Sequence, residues 1–449
     1  MDRKTMKEAN RIHMVLLLLL FGSSFSRADE NVEILIPSKA SSPENVAAAE
    51  LAGYLKKLYP DTEFTVAGKT AAKAGMAIRL GTPDSTPDLL KYIGERKLQG
   101  PESYVVTKAT IDGRETGIIL GADPAGVMYG VYGLLERLGC GFFLSFDTVP
   151  KPLNEAFGFD KWDMANHPLT PIRMVFNWHN FLTGCTTWDL DHWKEWIAQS
   201  QKSGFNTVMV HAYGNNPMFS FAFNGKTKDV GYVASTRHGR DWGINHINDI
   251  RRGHGGFLFN DAVFGSEAAK VPYDQRVQAK QAMMRKAFEY AEERGVKINF
   301  ALDVDTEGAN PQDVIKTLAE EDRFKISEMW VARPDTPSGY QYYKAQAKAL
   351  FDAYPQITTL TLWRRKGPGL GSVWPLIKVS EMPESWQAEY NAHLAANPKA
   401  AKVDLSVFNF AIAKVFKAWR TALNELGLEG ISIATGSWRF EWLGAVVVP

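Results

Sequence analysis

The chain has 449 residues, of which 45% are hydrophobic and 22% are charged, and its formal net charge is +1. This balance is that of a globular protein with enough apolar side chains for two or three cores. A net charge this close to zero argues against nucleic acid or an acidic membrane as a partner, because proteins that bind such partners normally have an excess of basic residues.

The N-terminus has the parts of a signal peptide. Basic residues precede the apolar run MVLLLLLFG at 14–22, and Ser26 and Ala28 occupy the small positions before a cleavage site. The run is too short to span a membrane comfortably, and no second run of spanning length follows it. Residues 1–28 are therefore predicted to be removed, which makes the mature protein secreted or periplasmic with no integral membrane span.

Residues 29–149 are predicted to form a compact α+β domain. One helix is predicted over 42–59, because Ser42-Pro43 begins it and it ends before Pro60. A second helix begins after Asp123, the expected N-cap, and ends at Gly139. Short strands are predicted at the segments VEILIP, AIRLGTP, SYVVTKAT and TGIILGA.

Four ordered segments of this domain carry a family resemblance: AAAELAGYLKKL, IRLG, ESYVV and GIILGADPAGVMYGVYGLLERLGCGFF. Over residues 32–150 the chain resembles the non-catalytic N-terminal domain of the family-67 α-glucuronidases. Similar domains precede the barrel in β-hexosaminidases and α-N-acetylglucosaminidases. The resemblance implies a small sheet with two helices on one face that braces a catalytic (β/α)8 barrel. It therefore implies a sugar-active enzyme without giving the substrate.

The rest of the chain is predicted to be a linker and a barrel. Residues 150–171 are Pro-rich and aperiodic, which indicates a linker, whereas residues 172–449 alternate strand and helix signals. This alternation predicts a parallel sheet, and the lack of a Gly-rich phosphate turn favours a TIM-type (β/α)8 barrel over a doubly wound sheet. The predicted strands span 173–181, 206–214, 297–306, 357–367 and 430–444. The predicted helices span 189–204, 274–295, 311–321, 338–355 and 405–427.

Five strands do not close a barrel that needs eight. The sequence ends on the apolar stretch GAVVVP without a closing helix. We therefore expect a catalytic barrel that is incomplete after about five strands, either because the chain is a fragment or frameshifted product of a longer enzyme or because a partner supplies the rest.

Polar and aromatic side chains follow the apolar bodies of the predicted strands. The active site of a (β/α)8 barrel lies at the carboxyl ends of its strands, so these side chains are candidates for substrate binding. The alternative is that the histidines are buried hydrogen-bonding groups and the tryptophans are packing residues. The arginines favour an anionic sugar, because guanidinium groups suit carboxylates. The candidates are Asn177, Trp178 and His179 after the first strand, His211, Tyr213 and Asn215 after the second, Trp363, Arg364 and Arg365 after the fourth, and Trp438 after the fifth.

The third strand carries two carboxylates near its end. Phe300, Leu302 and Val304 share one parity and are expected to face the outer helices, whereas Asp303 and Asp305 are expected to face the barrel axis. Glycosidases need two carboxyl groups that flank the scissile bond, and neighbours on one strand lie on the same wall of the site. The two aspartates are therefore candidate catalytic residues, and Glu441 after the fifth strand is the candidate that completes the pair.

Residues 214–272 form a long insertion that is rich in aromatic residues and arginine. Insertions of this length in a compact domain are usually functional or disordered. The aromatic content argues against disorder, so we interpret the segment as a loop that covers the substrate.

Other chemistries have weaker support. The sequence has no His-Glu-x-x-His, Cys-x-x-Cys, Gly-x-Ser-x-Gly or P-loop motif, so no cofactor and no metal are predicted. A divalent ion held by Asp303, Asp305 and Glu307 is the open alternative. Cys140 and Cys185 are interpreted as buried thiols, with a disulfide as the alternative.

Together these features predict a secreted glycoside hydrolase whose partner is an oligosaccharide or polysaccharide. The reaction would be hydrolysis of an α-glucuronidase-type side chain of xylan or of an N-acetylhexosamine linkage, by carboxylate general acid and base catalysis. The alternatives are a non-catalytic glycan-binding protein, or inactive truncated hydrolase, and a polysaccharide lyase.

Overall fold

The computed structural model of the protein describes residues 30–68, 75–176, 188–212, 218–230, 272, 275–306, 308–364, 373–399 and 406–437. These residues divide into two compact units. The first comprises the described residues up to Gly141 together with Thr148–His167, and the second comprises Phe142–Asp147 and the described residues from Pro168 onward. Among the described helices, none combines the length and apolar character needed to cross a membrane.

The strands up to residue 167 are β1 (Glu30–Leu35), β2 (Thr62–Ala67), β3 (Met76–Gly81), β4 (Tyr104–Ile111), β5 (Arg114–Gly121), β6 (Gly141–Phe142), β7 (Asp147–Thr148) and β8 (Met164–Asn166). Six of them form one sheet in the order β2-β1-β3-β5-β4-β8, in which β4 runs antiparallel to β5 and to β8 while the other pairs are parallel. The short strands β6 and β7 pair with each other.

Helices α1 (Ser42–Leu58) and α2 (Pro124–Arg137) contact each other and pack on this sheet. The predicted N-cap is confirmed, because the Asp123 side chain accepts a hydrogen bond from the backbone N–H of Gly126. A 3-10 helix at Pro87–Tyr92 adds a second small core with β4 and β5. A sheet with two helices is the arrangement that the resemblance implied.

The segment predicted as a linker contributes structure to the first unit. Within 150–171, Met164–Asn166 forms β8, and Phe157, Phe159 and Trp162 are buried. Adjacent rings in this aromatic series pack edge to face. These isolated aromatics have no helical or strand periodicity, and for that reason the sequence pattern indicates only an irregular segment.

The second unit contains the following described elements after residue 168. The strands are β9 (Met174–Phe176), β10 (Thr207–Ala212), β11 (Phe219–Phe223), β12 (Lys226–Val230), β13 (Lys297–Asp303), β14 (Arg323–Ile326), β15 (Met329–Ala332), β16 (Ile357–Arg364) and β17 (Ser432–Ser437). The helices are α3 (Leu190–Lys202), α4 (Arg276–Glu293), α5 (Gln312–Ile315), α6 (Pro337–Ala353), α7 (Glu384–Ala396) and α8 (Ser406–Glu425).

Five of these strands form one parallel sheet in chain order, β9-β10-β13-β16-β17. They are the five strands that the sequence predicts, and the α/β class is confirmed. An arrangement of parallel strands in chain order, with helices between successive strands, is that of an arc of a (β/α)8 barrel. Whether the sheet belongs to a barrel that is truncated after these strands stays a prediction.

The two faces of this sheet differ in chemistry. Val210 on β10, Phe300 and Leu302 on β13, and Leu360 on β16 belong to a large apolar core that includes side chains of the helices. The side chains that point to the other side of the sheet form a smaller apolar cluster, with several polar groups beside it. We call this side the inner face, and its cluster comprises Met209, Ala301, Trp363 and Phe176. The predicted direction of Phe300, Leu302 and Val304 toward the helices is confirmed.

Two local predictions differ from the structure. The helix predicted over 311–321 is limited to α5, because the Gln312 side chain binds the backbone N–H and C=O of Trp330 and the chain turns into the β14–β15 hairpin. The insertion predicted as a covering loop contains the β11–β12 hairpin, whose Phe219 and Phe221 are buried in the large core. The remainder of that insertion lies outside the described residues.

Candidate functional site

Strand alternation brings three predicted residues to the inner face at the carboxyl ends of neighbouring strands. His211 lies two residues after Met209 on β10, and Asp303 lies two residues after Ala301 on β13, so each pair shares a side of its strand. Trp363 lies on β16. Asp303 stands directly beside Trp363 in the β13–β16 register. Residues of one parity share a face, and neighbours in a parallel register lie side by side.

His211 and Asp303 form a buried pair. The Nε2 atom of His211 lies 3.2 Å from Oδ1 of Asp303. A carboxylate can only accept, so the imidazole Nε2–H is the donor. Asp303 retains 7% of its surface exposed, whereas His211 retains 1%. Both residues are therefore buried, and Asp303 is the more exposed of the two.

Aromatic rings enclose the imidazole. The Trp363 ring centroid lies 4.8 Å from that of His211, with the planes inclined by 36°. Phe176 on β9 lies 6.2 Å from both rings. A flat sheet would separate β9 from β16 by about 14 Å, because neighbouring strands lie ~4.8 Å apart. The rings thus converge as they do on the concave side of a curved sheet.

Gly436 on β17 makes room for this aromatic packing. It is the register neighbour of Trp363, and a Cβ atom at this position would lie 2.2 Å from Cε3 of the indole. A glycine inside a strand often marks such a close approach. This signal was present in the sequence, and so was the parity of Phe176, but neither residue was among the predicted site residues.

Asp305 and Arg364 are placed differently from the His211–Asp303 pair. Strand β13 ends at Asp303, and Asp305 lies beyond it, fully buried, with its carbonyl accepting from the N–H of Val373 at 2.8 Å. The side chain of Arg364 has the opposite parity to Trp363, and its Nη1 donates to Oδ1 of Asn409 on α8 at 2.6 Å. Arg364 is thereby directed toward the helices instead of the inner face.

The other predicted site residues lie outside the described residues, and their roles stay predictions. They are Asn177, Trp178, His179, Tyr213, Asn215, Arg365, Trp438 and Glu441, together with Glu307 of the alternative metal site. Among the residues that the structure describes, no group of three or more His, Cys, Asp or Glu side chains could hold a metal ion.

Residues 25–134 match the family described as the Glycosyl hydrolase family 67 N-terminus. The resemblance predicted for the N-terminal segment is therefore confirmed. A search of curated proteins gives no significant sequence match.

Several solved structures of carbohydrate-active enzymes are similar at low identity. A family-115 4-O-methyl-α-glucuronidase with specificity for decorated arabinogalactans is 11% identical with a TM-score of 0.46, covering 90% of this chain and 41% of that chain. A family-20 β-N-acetylhexosaminidase from Streptomyces coelicolor A3(2) is 13% identical with a TM-score of 0.44, and the match covers 90% of this chain and 61% of that chain. A family-138 enzyme targeting pectin rhamnogalacturonan II is 14% identical with a TM-score of 0.45, covering 88% and 43%. The chain thus spans less than two thirds of the length of each.

Proposed function

We propose that this protein is a glycoside hydrolase that acts on a complex polysaccharide or glycan at the inner face of its parallel sheet. The observation that carries the proposal is the buried His211–Asp303 pair beside Trp363 at the carboxyl ends of adjacent parallel strands. The family-67 match of residues 25–134 supports it, because that domain type accompanies sugar-active enzymes.

In this proposal Asp303 is one of the two carboxyl groups that hydrolysis requires. One group protonates the leaving oxygen, and the other acts as nucleophile or activates water on the opposite side of the sugar. Asp305 is fully buried beyond the end of β13, so Glu441, which follows β17 in the chain, is the stronger candidate for the second group.

Among possible substrates, an α-linked glucuronic acid side chain of xylan is the first choice, because the matched domain is of the family-67 type. An N-acetylhexosamine linkage is the second. We also propose that the protein is exported, as its N-terminal sequence predicts. N-terminal sequencing of the exported protein should then give a chain that begins after Ala28.

The test is turnover of aryl α-glucuronides, aryl N-acetylhexosaminides and glucuronic acid-substituted xylan oligosaccharides by the purified full chain. We expect release from one class of substrate and a fall in kcat of about 10²–10⁴-fold in Asp303→Asn, the usual contribution of a positioned acid or base. Glycan binding without turnover would instead identify a binding protein, and unsaturated products would identify a lyase.

A further inference from the structure

We propose that His211 is a positioning residue that fixes the orientation of the Asp303 carboxylate and does not itself contact the substrate. The proposal rests on the proposed function for its meaning in catalysis. It differs from the sequence prediction, in which His211 binds substrate directly.

The enclosure of His211 is the first argument. Its side chain is 1% exposed and lies against Trp363 and Phe176, whereas the Asp303 side chain is 5% exposed. A sugar approaching the carboxyl ends of the strands would meet the more exposed aspartate first. The imidazole is almost fully enclosed, and its Nε2 lies 3.2 Å from Asp303, so we assign His211 a role that acts through Asp303.

The geometry of the pair is the second argument. Rotation of an aspartate carboxylate about its terminal bond is broad and roughly two-fold, so the side chain is poorly oriented unless a neighbour holds it. The Nε2–H of His211 holds Oδ1 at 3.2 Å. A misplacement of about 1 Å at a reacting group costs on the order of 10²-fold in rate, and this is the loss that such an orienting bond prevents.

The support of the imidazole is the third argument. Trp363 packs 4.8 Å from His211, and its indole occupies the space above Gly436. The donor, its packing partner, the glycine that admits that partner and the carboxylate come from four different strands. The ring is therefore held by the sheet itself, as a positioning group should be.

A double-mutant cycle tests whether His211 acts through Asp303. His211→Asn withdraws the donor from the Nε2 position, and we expect kcat to fall by about 10²-fold with KM changed by less than about twofold. His211→Gln places an amide N–H at the same reach as Nε2 and should recover most of the lost rate. The double variant Asp303→Asn/His211→Asn should be no slower than Asp303→Asn alone.

Multiplying effects of the two single variants would overturn the proposal, because they would show that His211 contributes independently of Asp303. Loss of substrate affinity with unchanged kcat in His211→Asn would also overturn it. Thr361→Val is the matched control, since it removes the hydrogen bond from Thr361 to Asn299 on the same inner face. We expect it to lower stability while kcat is retained.

A measurement without substrate separates this proposal from the proposed function. Proton NMR of the full chain should show a slowly exchanging imidazole N–H signal that disappears in His211→Gln and shifts in Asp303→Asn. If that signal behaves as expected but no glycoside is hydrolysed, the pairing stands and the hydrolase function fails. If the Asp303→Asn substitution leaves the signal unchanged, the positioning role is wrong whatever the activity.

Discussion

Gly436 and Trp363 show how a glycine within a strand shapes the inner face. The indole occupies the space that a Cβ atom at residue 436 would need, with only 2.2 Å between the two. Gly436→Ala should therefore displace Trp363 from His211 and lower the free energy of unfolding by about 1–3 kcal/mol, the usual cost of overpacking. Urea denaturation checks this value. Gly430→Ala is the control, because a Cβ at that position meets no atom within 4 Å.

At the same scale, the sequence predicts which residues face inward but not which of them touch. The parity of Asp303 and the position of His211 at a strand end are local properties, and the structure agrees with both. Their contact joins residues 92 positions apart and depends on β10 lying beside β13. The opposite direction of Arg364 follows from the same alternation as that of Trp363, and it could have been predicted from the strand parity alone.

At the scale of elements, Asp123 joins a helix to a neighbouring turn. Its Oδ1 caps α2 by accepting from Gly126 N–H, and its Oδ2 accepts from the N–H of Glu102 at 2.9 Å. Glu102 has a φ of 62°, in the left-handed region that non-glycine residues avoid. Asp123→Ala should lower the free energy of unfolding by about 1–2 kcal/mol, because the cap and the support of this turn are both lost.

Asp123→Asn separates these two contributions. An asparagine oxygen can still cap α2, but its amide group cannot accept from Glu102 while its oxygen is used at the helix. We expect a loss between zero and that of the alanine variant, measured by thermal or urea denaturation. A loss as large as that of Asp123→Ala would show that the turn, and not the cap, is the stabilising contact.

Capped helices were predictable because their signals are local, whereas α5 was predicted too long. Gln312 has the pattern of a helix start, yet its side chain is engaged by the backbone of Trp330 in the following hairpin. Such a contact between distant segments overrides local propensity. The β11–β12 and β14–β15 hairpins were not predicted for a related reason. Their strands are short, and the spacing of their apolar residues does not distinguish them from a loop or a helix.

At the scale of the whole molecule, the five-stranded parallel sheet was predictable because each apolar strand is followed by a long helical pattern. The order of the strands follows from the rule that consecutive strand–helix units lie side by side. Closure into a barrel has no local signature, since it depends on the pairing of the first and last strands. The sequence therefore predicts the order of the five parallel strands but does not predict whether the sheet closes into a barrel.

The pH dependence of stability tests whether the charge of Asp335, which lies in the second unit outside the parallel sheet, stabilises the fold. Burial raises the pKa of Asp335, but hydrogen bonds from Arg333 and from the Trp386 Nε1–H outweigh burial, so the pKa lies below its ordinary value. A carboxyl group whose pKa is lowered by folding stabilises the fold above the unfolded pKa of about 3.9 and loses that effect as the pH falls through its folded value. Asp335→Asn should thus lower stability near neutral pH, and the difference from wild type should shrink in acid.

Urea denaturation of both proteins near neutrality and near pH ~3 measures this difference. Asp160→Asn is the matched control, because Lys108 also lowers the pKa of Asp160 but this ion pair is fully exposed. Exposed pairs contribute little, so the control should change stability only slightly at either pH. A gap between wild type and Asp335→Asn that is independent of pH would mean that Asp335 stabilises the fold by packing and not through its charge.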